Sequence, residues 1–179
     1  MTVLDQTLRA IQSAIRDVPD FPKPGIIFKD ITPLLMDGKL LAAAVQRMAG
    51  PFQGQRVTRV VAIESRGFLL GAPIAIVLGA GLVPIRKPGK LPAARERVEY
   101  ALEYGTDAME MHSDALVAGD RVLIVDDVLA TGGTAQAAGR LVQGRKVELL
   151  GFSFLIELGF LGGRKRLGEA RIEALLQYS

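Results

Sequence analysis

Four short, largely apolar runs, VVAI (60–63), LVPI (82–85), VLIV (122–125) and ELLGFSFLI (148–156), are separated by stretches with helical periodicity. A strand that is apolar on successive residues has to be covered on both faces. Such strands alternating with helices predict an α/β fold with a central, mostly parallel sheet flanked by helices. Sheets of this kind bind ligands in crevices outside the carboxyl ends of their strands. The residues that follow each apolar run are therefore the first place to look for function.

The remaining segments fit around that sheet. Leu4, Leu8, Ile11 and Ile15 recur at helical spacing and predict a first amphipathic helix that ends before Pro19. Phe21-Pro22-Lys23-Pro24-Gly25 predicts a loop. A second helix is expected from about Gly38 to Met48, with Leu41, Ala44, Val45 and Met48 inward. No charge occurs between Arg66 and Arg86, a span long enough to cross a bilayer, but Pro73, Gly79, Gly81 and Pro84 divide it. It reads as a buried helix stopped by Gly79-Ala80-Gly81, followed by a buried strand. Between Leu91 and Ala115 the pattern changes. Val98, Ala101/Leu102, Tyr104, Met109 and Met111 predict two strands around Gly105-Thr106-Asp107, an antiparallel hairpin flap. Arg164-Lys165-Arg166 predicts a solvated helix face. With no repeat and no linker composition, residues 1–179 are expected to form a single domain.

Composition removes several chemistries. The chain has no cysteine, which excludes disulfides, thiolate catalysis and cysteine-ligated zinc and fits a reducing cytosol. His112 is the single histidine, so a Ser-His-Asp triad or a histidine-based metal cluster is hard to build. The N-terminus lacks a basic region followed by an apolar stretch, and a cytoplasmic location with no membrane partner is expected. The formal charge of +3 is unevenly placed. Arg86, Lys87, Lys90, Arg95 and Arg97 stand against one acid, Glu96, so that this segment carries +4 and the remainder of the chain −1. A focused positive loop suits a small polyanion, whereas nucleic-acid binding more often uses a broad basic face. A merely solvated loop is the alternative reading.

The densest chemistry lies in RVLIVDDVLATGGT (121–134). VLIV predicts a buried strand with Asp126 and Asp127 at its tip, and Ala130, Thr131, Gly132, Gly133 and Thr134 lead into a helix. Backbone N–H groups at a helix start, with two glycines and two hydroxyls, form a cradle for a phosphate. The neighbouring carboxylates repel that phosphate and suit the hydroxyls of a ribose or a divalent cation. Together the two ends describe a site for a 5-phosphoribosyl group. A Walker loop would require Gly-Lys-Ser/Thr, and a dinucleotide fingerprint would require GxGxxG directly after the strand; neither is present. A purely structural Asp-Asp turn before a Thr-capped helix is the competing reading.

VLIVDDVLATGGT resembles the signature of the type I phosphoribosyltransferases, which bind 5-phosphoribosyl pyrophosphate (PRPP). FPKPGIIFKDITPLL (21–35), ESRGFLLG (64–71), IRKPGKLP (85–92), YALEYG (100–105) and FLIEL (154–158) are similar to the adenine-using branch of that family, in order from Val18 to Tyr178. The resemblance implies the type I fold with a small N-terminal hood and a flexible hairpin flap. It implies transfer of phosphoribose from PRPP to N9 of adenine, with AMP and pyrophosphate as products and an oxocarbenium-like sugar at the transition state. By the same resemblance Arg66, Arg86, Lys87 and Lys90 neutralise the leaving group, and Mg2+ is carried mainly by PRPP with no confident protein ligand. Asp126 and Asp127 take the ribose hydroxyls, and residues 130–134 take the phosphate. Ile27, Phe28, Lys29 and Leu158 hold adenine, Glu103 exchanges a proton on the imidazole side, and Tyr104 helps close the flap. The resemblance further implies a cis peptide between Glu64 and Ser65, and a homodimer.

From the residues alone, Phe28 and Leu158 also read as core and Glu103 as an exposed strand carboxylate. Ser65 lacks the G-x-S-x-G elbow of a hydrolase nucleophile. Lys29 stands where the family pattern often has arginine, Ala93 where it has glycine, and the flap sequence ARERVEY is unusually basic. Gly139 and Gly144 are expected to weaken the helix after TGGT by about 0.8–1 kcal/mol each if internal. A regulatory PRPP sensor, and an enzyme acting on hypoxanthine, guanine or xanthine, are the other functions considered. The known sensors carry an added DNA-binding domain, for which the residues before FPKPG are too few.

Overall fold

A computed structural model describes residues 3–101 and 106–179 of the chain. They fall into two compact units, Met1–Arg47 and Met48–Ser179.

The first unit opens with helix α1 (Val3–Ser13), which stops two residues before Ile15. Strands β1 (Arg16–Pro19) and β2 (Ile27–Asp30) then form an antiparallel hairpin across the proline-rich loop. This hairpin was not expected from a segment with so little apolar alternation. Cross-strand charges support it: Arg16 pairs with Asp30 at 2.5 Å and Lys29 with Asp17 at 2.6 Å. Asp30 also accepts the Thr32 N–H at 2.9 Å, at the start of the five-residue helix α2 (Thr32–Met36). Helix α3 (Gly38–Ala49) matches the expected span, with Ala44, Val45 and Met48 buried.

The second unit is built on β3 (Arg59–Ile63), β4 (Gly81–Ile85), β7 (Arg121–Leu129), β8 (Glu148–Leu158) and β9 (Ile172–Tyr178). They form one sheet in the order β4-β3-β7-β8-β9, and every pairing is parallel. All four apolar runs are strands of this sheet, as expected. The fifth strand, IEALLQY, was missed because its only fully buried residues are Ile172 and Leu176, a pattern too sparse for a core strand. Between β4 and β7 an antiparallel hairpin is formed by β5 (Arg95–Ala101) and β6 (Thr106–His112). Thr106 and Asp107, expected in its turn, instead pair with Ala101 and Tyr100.

Two crossover helices cover the sheet. The β3-to-β4 and β7-to-β8 crossovers travel in opposite directions along the strand order, and right-handed connections place their helices on opposite faces. Helix α4 (Arg66–Leu78) packs on β3, where a Cβ on Gly71 would come within 2.6 Å of the Ala62 Cβ. Gly79, in a left-handed conformation, ends it as the sequence suggested. Helix α5 (Gly133–Gln143) packs with Val61, Ile63, Val122, Ile124 and the hairpin residues Met109 and Met111 in the main apolar core. Gly139 is internal to α5, but a Cβ there would lie 3.3 Å from the Phe152 ring, so close packing accounts for the glycine. Gly144 is the C-cap and weakens nothing. In α6 (Gly163–Arg166) the basic cluster is only partly a solvated face, because Arg164 grips buried Glu157 through Nε at 2.9 Å and a second nitrogen at 2.6 Å.

Candidate active site

Strand β7 is the centre of the site. It continues beyond VLIV to Leu129, so Asp126 and Asp127 belong to the strand itself and not to a turn at its tip. Both carboxylates are buried, at 8% and 5% exposure. Burial and the adjacent charge of Asp127 push the Asp126 carboxyl well above the usual range. Burial also raises Asp127, but Arg66 opposes the rise. Arg66 Nε lies 2.6 Å from Asp127 Oδ2, an ionic contact without an aligned hydrogen bond. Asp126 accepts the Asp127 N–H at 2.9 Å. Of the two, Asp126 holds a proton more readily. No group of three His, Cys, Asp or Glu residues able to hold a metal occurs among the described residues. Paired carboxylates suit hydroxyl groups or a divalent cation.

Arg66 is placed by the β3–α4 turn. The Glu64–Ser65 peptide is cis, and Arg66 is the first residue of α4, whose Ser65 N-cap makes no side-chain hydrogen bond. Only glycine can follow, since a Cβ at Gly67 would lie 2.9 Å from Asp126 Oδ1. Arg66, at the start of α4, is held against Asp127 of the neighbouring strand β7.

The 130–134 segment runs from β7 into α5. Gly132, at φ 82°, is the N-cap; no side chain caps the helix and its first turn holds no acid. The leading N–H groups of such a helix suit an anion. The loop is fixed by a contact that the sequence did not disclose. A Cβ on Gly132 would approach the Gly163 carbonyl oxygen to 2.5 Å, and one on Gly163 would fall 2.1 Å from that of Ala130. The α6 backbone presses directly on the cradle. A GG dipeptide in sequence reads as an ordinary loop, so nothing local signals this role.

The basic loop follows β4, and its cations are paired within the chain. Arg86 Nε lies 3.3 Å from Glu64, Lys90 Nζ 2.5 Å from Glu64, and the Lys87 N–H donates to Glu64 at 2.9 Å. Lys87 Nζ contacts Asp107 and donates to the Tyr100 hydroxyl at 3.0 Å. Burial works against the Lys87 charge, but Asp107 and Tyr100 together outweigh it and raise the ammonium's pKa. Buried Glu110 accepts the Gly89 N–H at 3.0 Å and pairs with Arg95 at 3.1 Å. Glu64, Tyr100, Asp107 and Glu110 were all passed over in sequence as site-forming residues, because what they hold is distant along the chain.

The residues expected at the base lie as follows. In the first unit, Ile27 is exposed at the start of β2, and Phe28 is half-buried edge-on to Phe21, with ring centroids 5.1 Å apart. The Lys29 ammonium is engaged by Asp17, the charge of its own hairpin. In the second unit, Leu158 is half-buried as the last residue of β8. Glu103 and Tyr104 fall outside the described residues.

Residues 29–172 match the model of the phosphoribosyl transferase domain. The chain is 57% identical over 178 residues to the adenine phosphoribosyltransferase of Myxococcus xanthus, covering 99% of this chain and 97% of that one. The crystal structure of adenine phosphoribosyltransferase from Rhodothermus marinus superposes with a TM-score of 0.92 at 54% identity, covering 97% of this chain and 99% of its own. That of Saccharomyces cerevisiae, complexed with an imino-altritol bisphosphate and adenine, gives 0.91 at 39% identity over 96% of this chain and 99% of its own. The chain belongs to the phosphoribosyltransferase family, in its group of adenine phosphoribosyltransferases.

Proposed function

We propose that this chain transfers the 5-phosphoribosyl group of PRPP to adenine, forming AMP and pyrophosphate in purine salvage. The observation that carries the reading is the arrangement at the carboxyl ends of three neighbouring strands: a basic loop after β4, Arg66 after β3, and the Asp126–Asp127 pair leading to the α5 cradle on β7. A pyrophosphate, a diol and a 5′-phosphate each have a matching partner there.

Each residue then has a task. Ala130, Thr131, Gly132, Gly133 and Thr134 hold the 5′-phosphate through helix-start N–H groups. Asp126 and Asp127 accept from the ribose hydroxyls and fix the sugar while its anomeric bond to pyrophosphate breaks. Arg66, Arg86, Lys87 and Lys90 stabilise charge growing on the leaving oxygens. Mg2+ enters as part of the PRPP substrate and supplies further charge neutralisation. Ile27, Phe28, Lys29 and Leu158 are the residues that the family resemblance assigns to adenine, with Ile27 backbone groups reading its edge. Glu103 exchanges the imidazole proton, and the hairpin with Tyr104 excludes water that would hydrolyse PRPP. The working species is a cytoplasmic homodimer, acting on small molecules with no nucleic-acid or membrane partner.

Incubated with PRPP, Mg2+ and each purine base in turn, the purified chain is expected to form nucleotide and pyrophosphate from adenine alone. Turnover of hypoxanthine or guanine without AMP formation would overturn the choice of base, and PRPP binding with no turnover would mark a sensor. Glu103→Gln should lower kcat far more than PRPP affinity; unchanged rates would remove Glu103 from the mechanism. Light scattering at working concentration should give twice the chain mass, and a clean monomer refutes the dimer.

Asp126 supplies a prediction with a sign. Its pKa is raised on folding, so above the ordinary aspartate range the folded chain keeps a proton that the unfolded chain releases. The wild-type chain therefore loses stability as pH rises through that window. Asp126→Asn does not titrate, and its melting temperature should exceed that of wild type by a margin that widens from pH 4 upward. The same change should cut kcat/KM for PRPP by about 10- to 100-fold, the scale of a lost hydrogen bond to a charged group. A margin that shrinks with pH would show that the carboxylate is not penalised by burial.

A further inference from the structure

Glu64 has no part in the assignments above, yet it takes three donors from the basic loop, where Glu110 takes two and Asp107 one. Lys90 Nζ lies 2.5 Å from Oε1, while Arg86 Nε at 3.3 Å and the Lys87 N–H at 2.9 Å share Oε2. Strand register puts it there. Ile63 pairs with Ile85 and the Glu64 N–H donates to the Ile85 carbonyl at 2.9 Å, so residues 64 and 86 leave the sheet side by side. The Glu64 side chain is only 9% exposed, whereas that of Lys90 is 50% exposed. Burial pushes the carboxyl up, but Lys90, the Lys87 N–H and Arg86 together hold it below its usual value, and it is ionised at neutral pH.

The loop has anchors besides Glu64. Arg86 and Glu110 exchange both backbone hydrogen bonds, at 2.9 and 2.8 Å. The Glu110 carboxylate holds the Gly89 N–H, and Asp107 with Tyr100 holds the Lys87 ammonium. What Glu64 adds is a negative charge on Arg86 and Lys90, two of the cations assigned to the leaving group. The two oxygens of this one carboxylate, accepting from two cations and an N–H, occupy the donor set that a pair of phosphate oxygens would take.

We propose that Glu64 is an internal competitor for the pyrophosphate: its carboxylate and the leaving group exchange on Arg86 and Lys90, which weakens pyrophosphate binding and favours its release. The proposal rests on the reading that the basic loop receives pyrophosphate. Lys90, half-exposed on a flexible stem, moves between the two anions, while Glu64 stays on the floor beneath.

The test uses Glu64→Gln in the intact protein, which keeps an acceptor for the Lys87 N–H and removes the charge. Calorimetric titration with magnesium pyrophosphate and steady-state kinetics should show the pyrophosphate Kd and the PRPP KM both falling about tenfold, the scale of one charge-assisted contact. The adenine KM should not move. Unchanged or weaker pyrophosphate binding overturns the proposal, since a scaffold role would loosen the site. Arg86→Ala and Lys90→Ala separate the two levels. If neither weakens pyrophosphate, the underlying reading fails; if both do while Glu64→Gln fails to tighten, only the competition fails. Should Glu64→Gln not fold, Glu64→Asp, one methylene short of Lys90, is read in the same way with a smaller tightening expected, and no tightening refutes it.

Discussion

Two adjacent aspartates buried in the middle strand of a parallel sheet are the constraint around which this molecule is arranged. Taking a carboxylate out of water is costly unless it is paired, protonated or hydrogen-bonded. Here all three remedies are present: Arg66 sits on Asp127, Asp126 is pushed toward its neutral form, and its oxygen takes the following N–H. Gly67 lets the Arg66 turn approach closely enough to supply that partner. A buried pair held in this way contributes little to stability.

The cation side of the site solves the opposite problem. A loop with five bases and one acid between Arg86 and Arg97 would repel itself if left alone. Asp107 and Glu110 of β6 bracket it, so that its charges are both concentrated and held at defined distances, while Glu64 at the end of β3 offsets the charge of Arg86 and Lys90. Coulomb attraction at the protein surface is modest for a single pair, but a bracketed group of cations is pre-organised for a polyanion.

Much of this was legible in the sequence because it depends on local pattern. The strands at 60–63 and 122–125 are buried on both faces, and continuous apolar composition records that directly, whereas LVPI, expected to be buried, lies at the sheet edge with Leu82 exposed. The Gly79 helix stop and the Gly132–Gly133 helix start are written in single residues. The β1–β2 hairpin was illegible because cross-strand ion pairs hold it where apolar alternation does not. The extension of β7 through Asp126 and Asp127 was hidden because charged residues read as a strand end, although Asp126 pairs with Phe154 in β8. Gly139 looked like a defect until Phe152 was placed against it.

The sequence by itself determined four of the five sheet strands, the helices between them and the ribose-phosphate motif, since each follows from short-range periodicity or a contiguous run of residues. Tertiary structure alone decided which acids meet which cations, and that Gly163 presses on the 130–132 loop. Those contacts join residues such as Glu64 and Lys90, or Gly132 and Gly163, that lie far apart along the chain. Their distances are set by strand register and backbone packing, which no local spacing encodes.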